Sequence, residues 1–266
     1  MFLIKMSEPP TKKTKKNAKT SDPSVPVLTV PVDPKSLAPP PTTTPGNINP
    51  GDFLDLQNTV LQIPINGKFG VVDNPGDFHD THFFVDQDHV VCSIDCGEAH
   101  SAGSHYPRTE LNHKSPFDSK SKTAFTCDFS ILKLPVKLPK VCFAQIKVVA
   151  PDEEIQFLAV GNPNGTCKLV FRDLLGSSNL NFIELKAQHT TLCDNVKLGD
   201  WFTMSVSVDK GTVSTKISGA YTATLDKKLV FPTATFKLGC YTQTNAAIEG
   251  AANINSRVGL RNLKFN

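Results

Sequence analysis

Nothing in the sequence approaches the roughly 18 consecutive apolar residues that a bilayer-spanning helix requires. The opening Met1-Phe2-Leu3-Ile4-Lys5 is too short for the apolar core of a secretory leader, which runs to about 7–15 residues. The expected location is therefore the cytoplasm, a virion, or the outside reached by a non-classical route. No Gly-rich phosphate loop, Ser/His/Asp order or zinc signature occurs. Cys92 and Cys96 lie four apart, but no second close Cys or Cys/His pair completes a metal set. No metal is expected. No long helical period and no internal repeat is found. Tryptophan occurs once and tyrosine three times, whereas phenylalanine occurs 17 times.

What is present divides at about residue 50. Residues 1–50 hold 11 of the 20 prolines, seven Lys and three acidic residues, so they carry about +4. Such a segment buries too little apolar surface to offset its ordering entropy, and it reads as a disordered arm with polyproline character. It serves as a solubilising spacer in the simplest reading. Its run Lys12-Lys13-Thr14-Lys15-Lys16 also suits contact with an anionic polymer or surface. Residues 51–266 carry 21 Lys+Arg against 22 Asp+Glu, about −1, which argues against a nucleic-acid-binding domain. All seven cysteines lie in this part. Buried free thiols are the expectation, with a Cys92–Cys96 or Cys142–Cys240 disulfide as the alternative.

From residue 51 short apolar or alternating runs are separated by turn residues such as Asn66-Gly67, Asn74-Pro75-Gly76 and Asp209-Lys210-Gly211. Strands are expected at 59–65, 82–84, 89–94, 124–132, 141–149, 156–160, 168–172, 182–185, 202–209, 212–217, 220–225, 234–242 and 256–265. Many short strands punctuated by turns predict an all-β sandwich of two antiparallel sheets.

Three segments place chemically useful side chains at alternate positions, and residues two apart share a strand face. Arg108, Glu110 and Asn112 share one face of 108–113. Gln145 and Lys147 share a face opposite Ala144, Ile146 and Val148. Lys237, Gly239, Tyr241 and Gln243 share a face opposite Phe236, Leu238 and Cys240. Gly239 leaves room between Lys237 and Tyr241, as though something comes close to the sheet there. His100, His105 and His113 flank the first segment and read as loop or surface histidines. Asp152-Glu153-Glu154 reads as a solvated acidic turn, and Asn164-Gly165-Thr166 as a sequon relevant only after secretion.

Together the three segments resemble the signature strands of polysaccharide lyase family seven, the alginate lyases. That family carries Arg-Ser/Thr-Glu-Leu-Arg, then Gln-Ile/Val-His, then Tyr-Phe-Lys-Ala-Gly-x-Tyr-x-Gln. Here they read Arg108-Thr109-Glu110-Leu111-Asn112, Gln145-Ile146-Lys147 and Thr235-Phe236-Lys237-Leu238-Gly239-Cys240-Tyr241-Thr242-Gln243. Gly103-Ser104-His105-Tyr106-Pro107 and Leu198-Gly199-Asp200-Trp201-Phe202 are also family-like. The resemblance implies a β-jelly-roll with a concave groove and β-elimination on a uronic-acid polymer without a cofactor. By position, Arg108 and Gln145 hold the substrate carboxylate. Tyr241 is the acid, and also the base if both steps take place on one side of the sugar. Lys147 stands where the family has His, and either neutralises the carboxylate or takes the proton. Lys237, Gln243, Glu110 and Asn112 bind substrate, Asn112 in place of the family's second Arg. The expected partner is alginate or a related polyuronate. The alternative is a non-catalytic glycan-binding or structural protein, such as a virion component, on the same fold.

Overall fold

The computed structural model describes residues 48–104, 106–149, 153–176 and 189–266. Two antiparallel sheets carry the chain, as alternation had indicated. The strands are β1 (Thr59–Ile65), β2 (Lys68–Asp73), β3 (Phe83–Asp86), β4 (His89–Asp95), β5 (Arg108–His113), β6 (Lys122–Lys133), β7 (Lys140–Val148) and β8 (Glu154–Gly161). They continue with β9 (Thr166–Asp173), β10 (His189–Lys197), β11 (Trp201–Asp209), β12 (Thr212–Gly219), β13 (Ala223–Lys228), β14 (Ala234–Thr242) and β15 (Asn255–Phe265). One α-helix, α1 (Ala246–Glu249), occurs among the described residues. The larger sheet runs β10-β9-β8-β7-β14-β5-β1-β2 and the smaller β13-β12-β11-β6-β15-β4-β3. No described helix is long and apolar enough to cross a membrane.

The turn chemistry works as its residues dictate. Asn66 and Gly67 both have positive φ and close the two-residue hairpin between β1 and β2. Lys210 and Gly211 do the same between β11 and β12. Two strands, β2 and β10, were not expected. Both sit at an edge of the larger sheet and are mostly exposed or half-buried. An edge strand buries little, so it carries no strong apolar alternation to read. The strand expected at 182–185 lies outside the described residues, as does the arm apart from its last three positions. Of these, Asn49 caps a 3-10 turn and Pro50 is buried.

The core lies between the sheets and is built on phenylalanine. Phe125 of β6 meets Phe236 of β14 edge-on at 5.1 Å, and Phe129 meets Phe143 of β7 at the same separation. Each fully buried Phe contributes on the order of 1.5–3 kcal/mol of transfer free energy. All seven cysteines are free and buried. The Cys142–Cys240 alternative fails on geometry, because Cys240 points into this core while Cys142 packs on the other face of the sheet against Tyr241. The register of β7 slips by one residue against both neighbours between Cys142 and Ala144. Phe143 and Ala144 therefore both face the core, and the faces on either side of the slip are preserved.

Gly239 explains why β14 can lie against β5. Its φ is +144°, and a Cβ there would stand 2.4 Å from the Thr109 carbonyl oxygen and 2.9 Å from the Glu110 Cα. What comes close is thus the backbone of β5. Those atoms cannot swing away, so Gly239→Ala is expected to cost about 2–4 kcal/mol. A lowered denaturation midpoint with an unchanged slope is the signature to look for. Wild-type stability in the Ala variant would refute the argument.

Candidate active site

The three signature segments become neighbours in the larger sheet, with β14 between β5 and β7. Pairing sets Tyr241 opposite Arg108, Gly239 opposite Glu110 and Lys237 opposite Asn112 on one side. On the other side it sets Lys237 opposite Gln145 and Thr235 opposite Lys147. Every residue of the expected constellation thereby reaches the face turned away from the core. A single line crosses six strands through His189, Arg172, Gln156, Gln145, Lys237 and Asn112. At about 4.8 Å between strands it is roughly 24 Å long.

Glu110 is the hub of this face and is wholly buried. Its Oε1 accepts from Gln145 Nε2 at 2.6 Å. Its Oε2 lies 3.3 Å from Arg108 Nη1 and 4.0 Å from Lys237 Nζ. A buried carboxylate persists only when paired and hydrogen-bonded; here Arg108 does both, Gln145 adds a hydrogen bond and Lys237 a second positive charge. Glu110, expected among the substrate-binding residues, has no exposed surface here and is held by Arg108, Lys237 and Gln145.

Arg108 donates from Nη2 to Ser104 Oγ at 2.8 Å, and its guanidinium sits 4.1 Å from the centre of the Tyr241 ring. Ser104 Oγ also donates to the Tyr106 carbonyl at 2.9 Å and lies 3.1 Å from Tyr241 Oη. A hydroxyl has one proton. With that proton on the Tyr106 carbonyl, the Tyr241 phenol donates to Ser104. Burial pushes the Tyr241 pKa up to about 12, against the opposing pull of Arg108 and the Ser104 hydrogen bond. Burial likewise lowers the Lys237 pKa; Glu110 opposes this, and the like charges of Arg108 and Lys147 reinforce it.

Lys147 pairs with Glu154 of β8 at 3.6 Å. Glu154, expected in an acidic turn, opens a strand instead and also accepts from Gln156. Gln243 accepts from Arg172 of β9 at 3.1 Å, and Arg172 donates to Gln156 as well. Around this cluster the cations Arg108, Lys147, Lys237 and Arg172 stand against the carboxylates of Glu110 and Glu154. Arg108 Nε, Asn112 Oδ1, Gln145 Oε1 and Arg172 Nε are buried without a hydrogen-bond partner.

The family model for alginate lyase matches residues 54–263. The chain belongs to the alginate lyase family. Its family and its fold are those of polysaccharide lyases. The fold is similar to that of alginate lyase AlgAT5 from polysaccharide lyase family 7, at 25% identity and a TM-score of 0.68 over 82% of this chain and 98% of that one. An alginate lyase from Corynebacterium sp. is 21% identical, with a TM-score of 0.67 over 83% of this chain and 99% of that one. Alginate lyase PA1167 from Pseudomonas aeruginosa is 18% identical, with the same TM-score over 80% and 99%. No curated protein sequence matches the chain.

The histidines that flank the first segment lie apart from this cluster where they are described. His113 lies on the core side of β5 and stacks on Phe265 at 4.1 Å. His100 is exposed and contacts the Ser101 carbonyl. His105 lies outside the described residues. Among those residues, no cluster of three or more His, Cys, Asp or Glu could hold a metal ion. Ser104, Glu154, Gln156 and Arg172 complete the site without having been singled out for it. Ser104 lay in a quoted family-like segment. Gln156 and Arg172 had only strand alternation to mark them.

Proposed function

We propose that this member of the alginate lyase family cleaves alginate or a related polyuronate by β-elimination. One observation supports the reading above others: Arg108, Gln145, Lys237 and Tyr241 meet around a buried carboxylate on a face with excess positive charge. Elimination needs the C6 carboxylate neutralised so that the C5 proton can leave. Arg108 and the neighbouring cations Lys237 and Lys147 offer that neutralisation. Held against Glu154, Lys147 acts as a cation and not as the base.

Tyr241 then handles both proton steps. As phenolate it takes the C5 proton. The C5–H electrons form the C4–C5 double bond, the C4–O4 bond breaks, and the new phenol returns its proton to O4. Arg108 over the ring stabilises the phenolate. Ser104 does so too, by turning its proton from the Tyr106 carbonyl to Tyr241 Oη. Lys237 and Gln243 hold neighbouring sugars, and Asn112 continues the polar line beside Lys237.

The test is incubation of the purified chain with alginate, polymannuronate, polyguluronate and polyglucuronate, following the ultraviolet absorbance of the unsaturated uronate. Product from at least one polymer is expected, with none from its carboxyl-reduced form. Binding without product would overturn the lyase reading in favour of a glycan-binding protein.

The high Tyr241 pKa fixes the sign of the pH dependence. Below about 12 the phenolate fraction rises tenfold per pH unit, so kcat/KM should climb with a slope near one from about pH 7 to 10. Above its ordinary pKa near 10 the same shift works against the fold, because the neutral phenol is favoured in the native state. Stability should therefore fall as pH rises from there toward 12. A rate that is flat through pH 7–10 would remove Tyr241 from the role of base.

A further inference from the structure

Of the two carboxylates in the cluster, Glu154 alone is reached by solvent. Its side chain is 20% exposed, against 0% for Glu110. It opens β8 directly opposite Lys147 of β7, and its carbonyl accepts from Leu174 N at 3.0 Å, which fixes its backbone. A polyanion laid on this part of the sheet therefore meets Glu154 and not Glu110. Its charge also reaches Tyr241. There, after burial and against Arg108 and Ser104, it adds to the rise in the phenol pKa. Glu154 thus stands close enough to act on the sugar being cleaved.

The two carboxylates hold their cations differently. Glu110 is hydrogen-bonded to Arg108 and Gln145 in the buried floor. Glu154 Oε2 lies 3.6 Å from Lys147 Nζ, too far for a hydrogen bond between them. Its Oε1 accepts from Gln156 Nε2, and Gln156 Oε1 in turn accepts from Arg172. The carboxylate is thereby held from the β8 and β9 side, whereas Lys147 is 25% exposed on a long, flexible stem. An ion pair this open to water is weak. Lys147 can turn away from Oε2 and leave the Glu154–Gln156–Arg172 chain intact.

We propose that Glu154 is an internal counter-ion which the substrate's carboxylate displaces from Lys147, so that it sets how tightly this face holds a polyuronate. The proposal rests on the lyase reading for the identity of that ligand. In the empty site Lys147 sits against Glu154. An arriving uronate brings a second negative charge to the same ammonium. Lys147 turns toward it, and Glu154 is left on Gln156, facing a like charge. Losing the pair and meeting the like charge both oppose binding. A neutral sugar has no charge to exchange and leaves the pair closed. Removal of a merely structural residue would weaken binding; removal of the Glu154 charge should strengthen it.

The test is calorimetric titration of a saturated oligouronate into Tyr241→Phe, used so that the ligand is not consumed, and into Tyr241→Phe/Glu154→Gln. The Gln oxygen still accepts from Gln156, so the melting midpoints should agree. The double variant should bind about fivefold more tightly at low salt, the scale of one partly exposed charge pair. The gain should shrink in about 1 M salt, where the Debye length is about 3 Å, and vanish for a carboxyl-reduced oligosaccharide. It should also shrink when both proteins carry Lys147→Gln, because only the repulsion is then left to remove. Unchanged or weaker affinity on Glu154→Gln overturns the proposal. A gain of equal size without Lys147 overturns it too, since Glu154 would then repel the ligand without any exchange. If the oligouronate binds but wild type cleaves no polymer, the lyase reading fails and the titration still decides on Glu154. Absence of any oligouronate binding overturns both.

Discussion

Tyr241→Phe is expected to abolish eliminative cleavage while leaving the fold intact. In the proposed reaction one oxygen both receives the C5 proton and returns a proton to O4. Removing it takes away general base and general acid together, and each alone is worth about 10²–10⁴-fold. A loss of about 10⁴-fold or more in kcat is the expected result. The ring itself stays: Arg108 remains 4.1 Å above it, and Cys142, Leu158 and Val170 still pack against it. KM should therefore move little, and the melting midpoint should change only by what the Ser104 hydrogen bond contributes, about 1 kcal/mol. Initial rates on the best polyuronate and a thermal melt check both halves. A Phe variant that keeps a tenth of wild-type activity would shift the chemistry to another group, with Lys147 first in line.

The second large effect concerns Glu110 and stability. Glu110→Ala would leave Arg108 and Lys237 buried without their carboxylate, and Gln145 Nε2 without an acceptor. Breaking a buried pair by deleting one partner costs about 3–5 kcal/mol. For a domain of this size that is a fall of roughly 10 °C in melting midpoint. Glu110→Gln keeps the volume and one acceptor, so it should lose less than half as much. Substrate affinity should fall in both variants, because Arg108 and Gln145 lose the group that orients them. Near-wild-type melting of the Ala variant would show that water replaces the carboxylate at little cost, and Glu110 would lose its place as the hub.

The three signature segments gave strand identity and facing residues because period-two alternation encodes which side a residue takes. They also led to the family. Alternation is silent about neighbours. That β14 lies between β5 and β7, and that Lys237 is thereby opposite both Asn112 and Gln145, depends on long-range pairing that no local pattern carries. Glu110 was placed on the correct face, but its depth was not readable. A carboxylate in an alternating strand looks the same whether it meets a ligand or its own cationic neighbours. Arg172 escaped for a similar reason, since one arginine in a short strand is unremarkable until β8 brings Gln156 beside it. Gly239 carried a true signal of close approach. Only the structure names the approaching partner as the β5 backbone.

The strands that build the site enter the chain far apart: β5 begins at Arg108, β7 at Lys140 and β14 at Ala234. β14 is flanked in the sheet by two strands remote from it in sequence, β5 and β7, so loop closure must precede the contacts that reward it. No fragment ending before Ala234 can hold Tyr241 against Arg108. Catalytic competence, during synthesis or refolding, should therefore return among the last events, which makes turnover a sensitive reporter of a completed sandwich.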